Sequence, residues 1–142
     1  MAIIKKEDVN VKQICKILNS AAIETEVDEE GDVYLKKGGV DFGLWVKFID
    51  ESRIRLFTYA QCKSGVSPES VEKFAVKLNL EYVLVRYTST AYDDGNIFLN
   101  GDSYIIFPFG LQAENFVATV KAFSSIFIDS IRAEDPDDEF FS

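Results

Sequence analysis

The sequence predicts an α+β fold in which an antiparallel sheet packs against helices, in the order α-β-β-β-β-α-β-β-β-α. Three observations support this prediction. Apolar residues recur at every third or fourth position in three segments, which is typical of amphipathic helices. Between these segments apolar and polar residues alternate, which is typical of strands with one face on a core. Short corners that contain glycine join the alternating segments and favour hairpins.

The first half of the chain predicts one helix and four strands. A helix is predicted over residues 8–22, with Asp8 as its N-cap, because the apolar residues of this segment form one stripe. Residues 23–37 predict a hairpin with an acidic corner that contains glycine. Residues 40–48 alternate most regularly and predict a strand, and residues 53–62 predict its antiparallel neighbour.

Alternation also assigns the side chains of these last two strands to faces. Ile54 and Leu56 share the face that is predicted to lie on the core. The opposite face carries three aromatic side chains, which are Trp45, Phe57 and Tyr59. If helices cover only one side of the sheet, these three residues form a candidate partner-binding site, because contiguous apolar surface often marks an interface. The alternative is that a helix or the C-terminal segment covers them.

The second half predicts another helix, three strands and a longer helix. Ser67 followed by Pro68 predicts a helix start, and this helix ends near Asn79. The strands are predicted over residues 82–89, 96–99 and 104–109. Pro108 cannot donate a hydrogen bond, so the last strand should end there or lie at a sheet edge. The final helix is predicted over residues 113–131, where an unbroken apolar stripe runs along one face.

Composition separates the domain from its end. The chain has 142 residues, of which 47% are hydrophobic and 13% aromatic, and this suffices for one folded domain. We place this domain over residues 1–132. Residues 133–142 are densely acidic and predict a disordered tail, although Phe140 and Phe141 could form a short docking motif.

The net charge and the lack of a recognisable membrane span or signal peptide limit the partners and the cellular compartment that the sequence predicts. The chain carries 24 acidic and 15 basic residues, a net charge of -9. Binding to nucleic acid or anionic membranes depends on Lys and Arg, so neither is expected as a partner. No apolar run approaches the roughly 18 residues of a membrane span, and no signal peptide is recognisable. We therefore expect a cytoplasmic protein.

Two corners of the chain repeat one another. Residues 28–35 (DEEGDVYL) and 92–99 (YDDGNIFL) match in acids, glycine and apolar residues, and each follows a helix that ends in Leu-Asn. The chain thus contains two helix-plus-hairpin halves and a third helix. The second stretch could be a calcium loop, a catalytic acid pair or a turn. We favour a turn, because calcium ligands alternate in an EF-hand and because Asp93 and Asp94 should point to different sides.

Residue types give little support to catalysis. The chain has no histidine, which rules out Ser-His triads and Cys-His pairs. Cys15 and Cys62 lack a metal-binding spacing and are predicted to be small core residues in a reducing cytoplasm. No glycine-rich phosphate-binding pattern occurs. We therefore predict no catalytic residue, no metal site and no cofactor.

Two charged sets remain open. Three strand arginines could gather as an anion site, but a solvated ladder is the simpler interpretation; they are Arg53, Arg55 and Arg86. A carboxylate-dependent enzyme would need several acids to converge in one cleft. Its best candidates are Asp93, Asp94 and Asp102.

Several segments of the second half resemble the YbjN family of small bacterial proteins. They are KFAVKLN (residues 73–79), EYVLVRYT (81–88), DDGNIFL (93–99), SYIIFPF (103–109) and the helix start QAENF (112–116). The resemblance covers about residues 9–132. It implies the fold of type III secretion chaperones, frequent dimerisation and action by protein binding, and it implies no active-site residues. YbjN-like proteins are described as sensory transduction regulators.

These observations favour a non-enzymatic domain that binds a protein partner through the open sheet face or an exposed strand edge. A homodimer is also expected, because the final helix and the open face are rich in apolar residues. A first alternative is a small-molecule sensor with a pocket between the final helix and the sheet. A second is the carboxylate-dependent enzyme.

Overall fold

A computed structural model describes residues 3–40 and 43–141. The helices are α1 (Val11–Ser20), α2 (Pro68–Glu81) and α3 (Ala113–Glu134). The strands are β1 (Ile3–Ile4), β2 (Glu24–Val27), β3 (Val33–Lys37), β4 (Leu44–Asp50), β5 (Arg53–Gln61), β6 (Arg86–Ala91), β7 (Ile97–Ile106) and β8 (Leu111–Gln112). The predicted α+β class and the general order of its elements are confirmed.

Six strands form one antiparallel sheet in the order β2-β3-β4-β5-β7-β6, and β1 pairs with β8 in a separate ribbon. Apolar side chains of all three helices share one core with the strands. The most deeply buried of these include Ile14 and Leu18 of α1, Val71 and Leu78 of α2, Phe116, Val120, Phe123 and Phe127 of α3, and Val46, Ile54 and Leu56 of the sheet. The helices therefore pack on one face of the sheet.

The first helix begins later than predicted. Asn10, not Asp8, is its N-cap: the Asn10 side chain accepts a hydrogen bond of 2.9 Å from the backbone amide of Gln13. Asn10 has the extended backbone that an N-cap requires, whereas Asp8 lies in a short 3-10 turn, Lys6–Asp8. The predicted cap at Ser67 is confirmed, because its side chain accepts from the backbone amide of Ser70 at 3.2 Å.

Strand boundaries differ from the prediction in three places. Residues 41 and 42 of the predicted strand over 40–48 lie outside the described residues, and β4 begins at Leu44. The strand predicted from residue 82 begins only at Arg86, because Leu84 turns the chain with a positive φ of 79°. The short strands β1 and β8, which the sequence did not predict, pair with each other outside the main sheet.

The strands predicted over residues 96–99 and 104–109 are one continuous strand, β7. Gly101 lies in its middle, where a Cβ would collide with the ring of Phe127 and approach Val85. The glycine thus lets α3 lie close to the sheet without interrupting the strand.

The C-terminal segment packs onto the domain, which corrects the expectation of a disordered tail. The Asp135 carboxylate is buried and accepts hydrogen bonds of 2.8 to 3.2 Å from the backbone amides of residues 139–141. The ring of Phe140 stacks on Phe74 of α2 with centroids 4.7 Å apart. The Phe140 carbonyl accepts a 2.8 Å hydrogen bond from the amide of Lys63. Apolar anchors and one capping carboxylate therefore outweigh the segment's acidic composition.

The repeated corners are turns with the same backbone hydrogen bonds, at 2.9 and 3.0 Å in each copy. The donor and acceptor pairs are Asp28 with Asp32 and Gly31 with Asp28 in the first turn, and Tyr92 with Asn96 and Gly95 with Tyr92 in the second. Gly31 and Gly95 have positive φ angles of 84° and 89°, which glycine adopts readily. The strand order places the two hairpins at opposite edges of the sheet.

No helix within the described ranges is both long enough and apolar enough to cross a membrane.

Candidate protein-binding face

The face of the sheet opposite the helices carries the three residues singled out from the sequence. On β5, Leu56 is fully buried in the core, while its neighbour Phe57 lies on the other face. Trp45 on β4 pairs directly with Phe57, and Tyr59 lies two positions further along β5. The structure therefore brings Trp45, Phe57 and Tyr59 together, and no described helix covers them.

These three rings belong to a larger aromatic cluster, which we call the aromatic face. Its members are Tyr34, Trp45, Phe57, Tyr59, Tyr92 and Phe98. Trp45 stacks on Tyr59 with centroids 5.5 Å apart, and Tyr34 lies 4.8 Å from Trp45 on the other side. Tyr59 then meets Phe98 edge to face at 5.3 Å. The cluster thus crosses four adjacent strands, with Tyr92 at its end against Phe98.

Sequence reasoning missed Tyr34, Tyr92 and Phe98, although a signal was present. Tyr34 and Phe98 occupy the same aromatic position in the two repeated stretches. Because each stretch opens a strand next to the central pair, both rings reach the edge of the aromatic face. Gly43 makes room for the first of them, since a Cβ there would collide with the Tyr34 ring.

The rings remain accessible although they cover one another. Tyr59 is 45% exposed, and Trp45, Phe57 and Phe98 are half-buried. Two depressions of about 420 Å³ each lie on this face. The first is lined by the second turn, with Tyr92, Asp94 and Phe98, and the other by the first turn, with Asp28, Glu29, Glu30, Trp45 and Lys47. Both include Phe57 and Tyr59, so they meet at these two rings.

Next to the aromatic face, one carboxylate joins two of the three strand arginines. Asp102 is only 4% exposed, and its oxygens accept hydrogen bonds of 3.0 Å from Arg55 and of 2.7 and 2.9 Å from Arg86. The hydrogen bonds that Arg86 donates to Asp102 raise the pKa of Arg86 above its ordinary value. The shared carboxylate offsets much of the positive charge, so the geometry does not support an open anion site.

The third arginine lies apart from these two. Arg53 pairs with Asp50 at 2.7 Å in the turn between β4 and β5. Its hydrogen bond lowers the pKa of Asp50 to about 2. This pair holds the turn, and it does not take part in the Asp102 cluster.

The rings of this face already contact cations from the same chain. The Arg55 guanidinium lies 4.5 Å from the centroid of Phe57, and the Lys47 ammonium lies 5.8 Å from it. Lys47 also pairs with Asp32 at 3.1 Å. Such contacts stabilise a cation over the negative face of a ring.

The acids proposed for an enzyme do not converge. Asp94 binds the backbone and side chain of Asn96 within its turn, and Asp93 is exposed beside it. Asp102 lies five residues beyond the start of β7 at Ile97, which is about 17 Å along an extended strand. In the part of the chain that the structure describes, no three His, Cys, Asp or Glu side chains are grouped for a metal ion.

The two cysteines lie apart. Cys62 is buried beneath the C-terminal segment, and burial raises the pKa of its thiol to about 11. Cys15 is half-buried on α1. Both are free thiols.

A groove of about 560 Å³ lies between α1 and α3, not between the last helix and the sheet as the sensor hypothesis expected. The side chains between α3 and the sheet fill that space, since Phe123 and Phe127 are almost fully buried there. The groove has an apolar floor that includes Ile17 and Val117, and Lys16 and Lys121 lie at its rim.

Comparison with known proteins identifies a matching family and two solved structures with a similar fold. The family model "YbjN: Putative bacterial sensory transduction regulator" matches residues 10–133. The crystal structure of YbjN from E. coli aligns with a TM-score of 0.78 and 13% identity, and the alignment covers 94% of this chain and 97% of that one. An uncharacterized protein from Methanothermobacter thermautotrophicus aligns with a TM-score of 0.64 and 13% identity, covering 89% and 97%.

A weaker similarity links the chain to a secretion chaperone. The Yersinia pestis type III secretion chaperone SycH, solved in complex with a fragment of YscM2, aligns with a TM-score of 0.47 and 15% identity, covering 89% of this chain and 98% of SycH. No curated protein matches the sequence. At 13% identity the first two solved structures establish a shared fold only.

Proposed function

Because the chain belongs to the YbjN family, we propose that it is a non-enzymatic, regulatory or chaperone-like adaptor that binds a protein partner through the aromatic face. One observation carries this proposal: contiguous aromatic rings cross four strands on a sheet face that no described helix covers. Large exposed aromatic clusters of this kind are typical of binding surfaces, and Trp and Tyr dominate the binding energy of many interfaces. The family's description as a regulator agrees with a binding role.

Site-specific photocrosslinking in the native cell tests this proposal. A photoreactive phenylalanine analogue at Tyr59 should crosslink a partner protein, whereas the same analogue at Phe109 should not. Phe109 is a matched control, because it is 97% exposed and lies after β7 outside the cluster. The triple variant Trp45→Ala, Phe57→Ala, Tyr59→Ala should lose the partner in affinity capture. Equal crosslinking from Phe109, or a partner retained by the triple variant, contradicts the proposal.

A strand edge is a second route to the same role. β2 and β6 are the outer strands of the sheet, and a partner strand could pair with either. Crosslinks that arise from the exposed Thr88 on β6, but not from Tyr59, would assign the partner to this edge.

Homodimerisation remains part of the proposal. The apolar stripe of α3 does not support it, because Phe116, Val120 and Phe123 are buried inside the monomer. The apolar surfaces that remain include the aromatic face, the α1–α3 groove and the exposed Leu80 and Val83 at the end of α2. Sedimentation should show a species of twice 16.0 kDa. A 16.0 kDa species at high protein concentration would remove the dimer from the proposal.

A small-molecule sensor is the second candidate function. The α1–α3 groove favours it, because its volume of about 560 Å³ falls within the usual range of ligand pockets. A metabolite that binds there should raise the melting temperature, and the variant Val117→Trp, which fills the groove, should abolish that rise. A panel of metabolites with no effect on melting would argue against this function.

A further inference from the structure

We propose that the partner segment on the aromatic face is an extended, basic polypeptide that places Lys or Arg side chains at both ends of the face. This inference rests on the proposed function and specifies the chemistry of the partner. Its starting point is the position of the two acidic turns. The first turn lines one depression of the aromatic face and the second turn lines the other, while Phe57 and Tyr59 lie between them.

The charges around the face favour a cationic occupant. Its own cations already have carboxylate partners: Lys47 pairs with Asp32, and Arg55 shares Asp102 with another arginine. In contrast, Glu29 and Glu30 are exposed and form no ion pair with any described residue. The available charge at the first turn is therefore negative.

The available charge at the second turn is also negative. The Asp94 carboxylate binds only the neutral Asn96 among the described residues, and Asp93 next to it is exposed. A partner with positive charge at both ends would thus meet complementary charge at both turns, which favours association. Acidic or neutral partners would gain nothing from these carboxylates.

The aromatic rings between the two turns also favour a partner with positively charged side chains. Two cations of this chain, those of Arg55 and Lys47, already lie over Phe57. At least one ring of the face therefore already accepts positive groups. Additional Lys or Arg side chains, with their apolar stems along the rings, would use the same contact.

The width of the face sets the spacing of the basic residues. The cluster spans β3, β4, β5 and β7, and three strand spacings amount to about 14 Å. An extended chain advances about 3.3 Å per residue. The two turns also lie at different levels along the strands, because the first precedes Val33, which is level with Leu56, and the second precedes Phe98, which is level with Gln61. This adds about 17 Å along β5 and gives a diagonal of about 22 Å. The two basic residues of the partner should therefore be about seven positions apart, with apolar residues or proline between them.

A second copy of this chain fits the face poorly. Each copy carries a net charge of -9, and a symmetric contact would bring the acidic turns of both copies to one interface. Like charges held together at an interface lower affinity. We therefore assign the face to a basic segment of another protein, and a homodimer would use a different surface.

The protein contains one tryptophan, Trp45, so its fluorescence reports directly on this face. The probe is a synthetic peptide with two arginines about seven positions apart among Leu, Pro and Ser. It should change Trp45 emission in a saturable way, and its affinity should fall when NaCl is raised from about 50 mM to about 500 mM. Peptides with glutamates in place of the arginines should not bind.

Charge variants test the role of the turn. Glu29→Gln with Glu30→Gln should weaken the basic peptide about fivefold to tenfold, because each exposed ion pair contributes modestly. Glu69→Gln with Glu72→Gln is the matched control, since it removes the same charge from exposed positions on α2, on the other side of the sheet. The control should leave the affinity unchanged.

Each other outcome overturns this inference. Equal binding of the glutamate peptide, or equal losses of affinity in both charge variants, would show that the aromatic face does not select cations. The proposed partner-binding role would still stand if the analogue at Tyr59 crosslinks a partner in the cell. A dimer in sedimentation whose Trp45 emission changes on dissociation would show that a second copy of the chain occupies the aromatic face. An absence of any peptide response would reject the basic segment as its occupant.

Discussion

The two faces of the central sheet come from the same strands but have different surroundings. Leu56 points into a core that three helices close, whereas Phe57, the next residue, lies among neighbouring rings and beneath the side chains of Arg55 and Lys47. On the core face, burial depends on distant elements of the chain. On the aromatic face, Trp45 and Tyr59 bury each other by stacking. Aromatic side chains can therefore keep a large apolar surface accessible while they shield part of it from water.

The largest difference between the faces should appear in stability. Leu56→Ala should lower the free energy of unfolding by about 3 kcal/mol, because it removes buried methyl groups and leaves a cavity. Phe57→Ala should cost only about 1 kcal/mol, because it loses ring contacts on a half-buried surface. Urea denaturation measures both values. Similar losses in the two variants would show that the aromatic face is part of the structural core.

The Asp102 cluster should give the next largest effect. Asp102→Ala should cost about 2 kcal/mol, because it leaves Arg55 and Arg86 side by side without their shared carboxylate. The loss should fall below that of a fully buried pair, since the arginines are partly exposed. Asp102→Asn restores the hydrogen-bond acceptor but not the charge, so it should recover part of the stability. Denaturation in which Asp102→Ala matches the parent protein would contradict this account.

The C-terminal segment extends the comparison to the helix side of the sheet. Phe140→Ala with Phe141→Ala should loosen the cover over Cys62 and lower stability by about 1 kcal/mol. The pKa of the Cys62 thiol, now raised to about 11 by burial, should fall toward its ordinary value of 9.0. More thiolate would then be present at pH 8, so the thiol should react faster with a disulfide reagent.

This measurement uses a Cys15→Ser background, so that only Cys62 reacts. Phe109→Ala is the control, because it removes an exposed phenylalanine that does not touch the segment. An unchanged reaction rate in the double variant would mean that the segment does not protect Cys62.

Periodicity and repetition predicted most of the fold, because they report local contacts. Alternation placed Trp45 and Phe57 on one face, and the repeated corners identified two equivalent hairpins. The same evidence did not join the two parts of β7, and it could not show the role of Gly101, which depends on Phe127 of a helix that follows later in the chain. Composition alone predicted a disordered C-terminal tail and could not reveal the contacts that Asp135 and Phe140 make.

The candidate site was predicted in part for the same reason. Its central residues followed from strand alternation, but the edge residues Tyr34 and Phe98 required the strand order. Which arginines meet at Asp102 also depends on pairing between β5, β6 and β7, since Arg55 and Arg86 lie far apart in sequence. Such long-range register is not encoded in the pattern of any single segment.

The smallest expected effect on stability concerns the turn between β4 and β5, where Arg53 pairs with Asp50. The pKa of Asp50 is about 2 in the folded protein, below its ordinary value of 3.8, chiefly because of the hydrogen bond from Arg53. Because the folded value is lower, the pair stabilises the fold above about pH 4, and this contribution is lost as the pH falls toward 2. Both residues are exposed, so the loss in stability should be slight.

Arg53→Gln should raise the pKa of Asp50 toward 3.8, as measured by NMR titration of its carboxyl carbon. Arg86→Gln, which changes an arginine of the Asp102 cluster, should leave the Asp50 titration unchanged. If both variants moved it equally, the three arginines would act as one electrostatic unit. A shift confined to Arg53→Gln would instead separate a local turn contact from the charge cluster that borders the aromatic face.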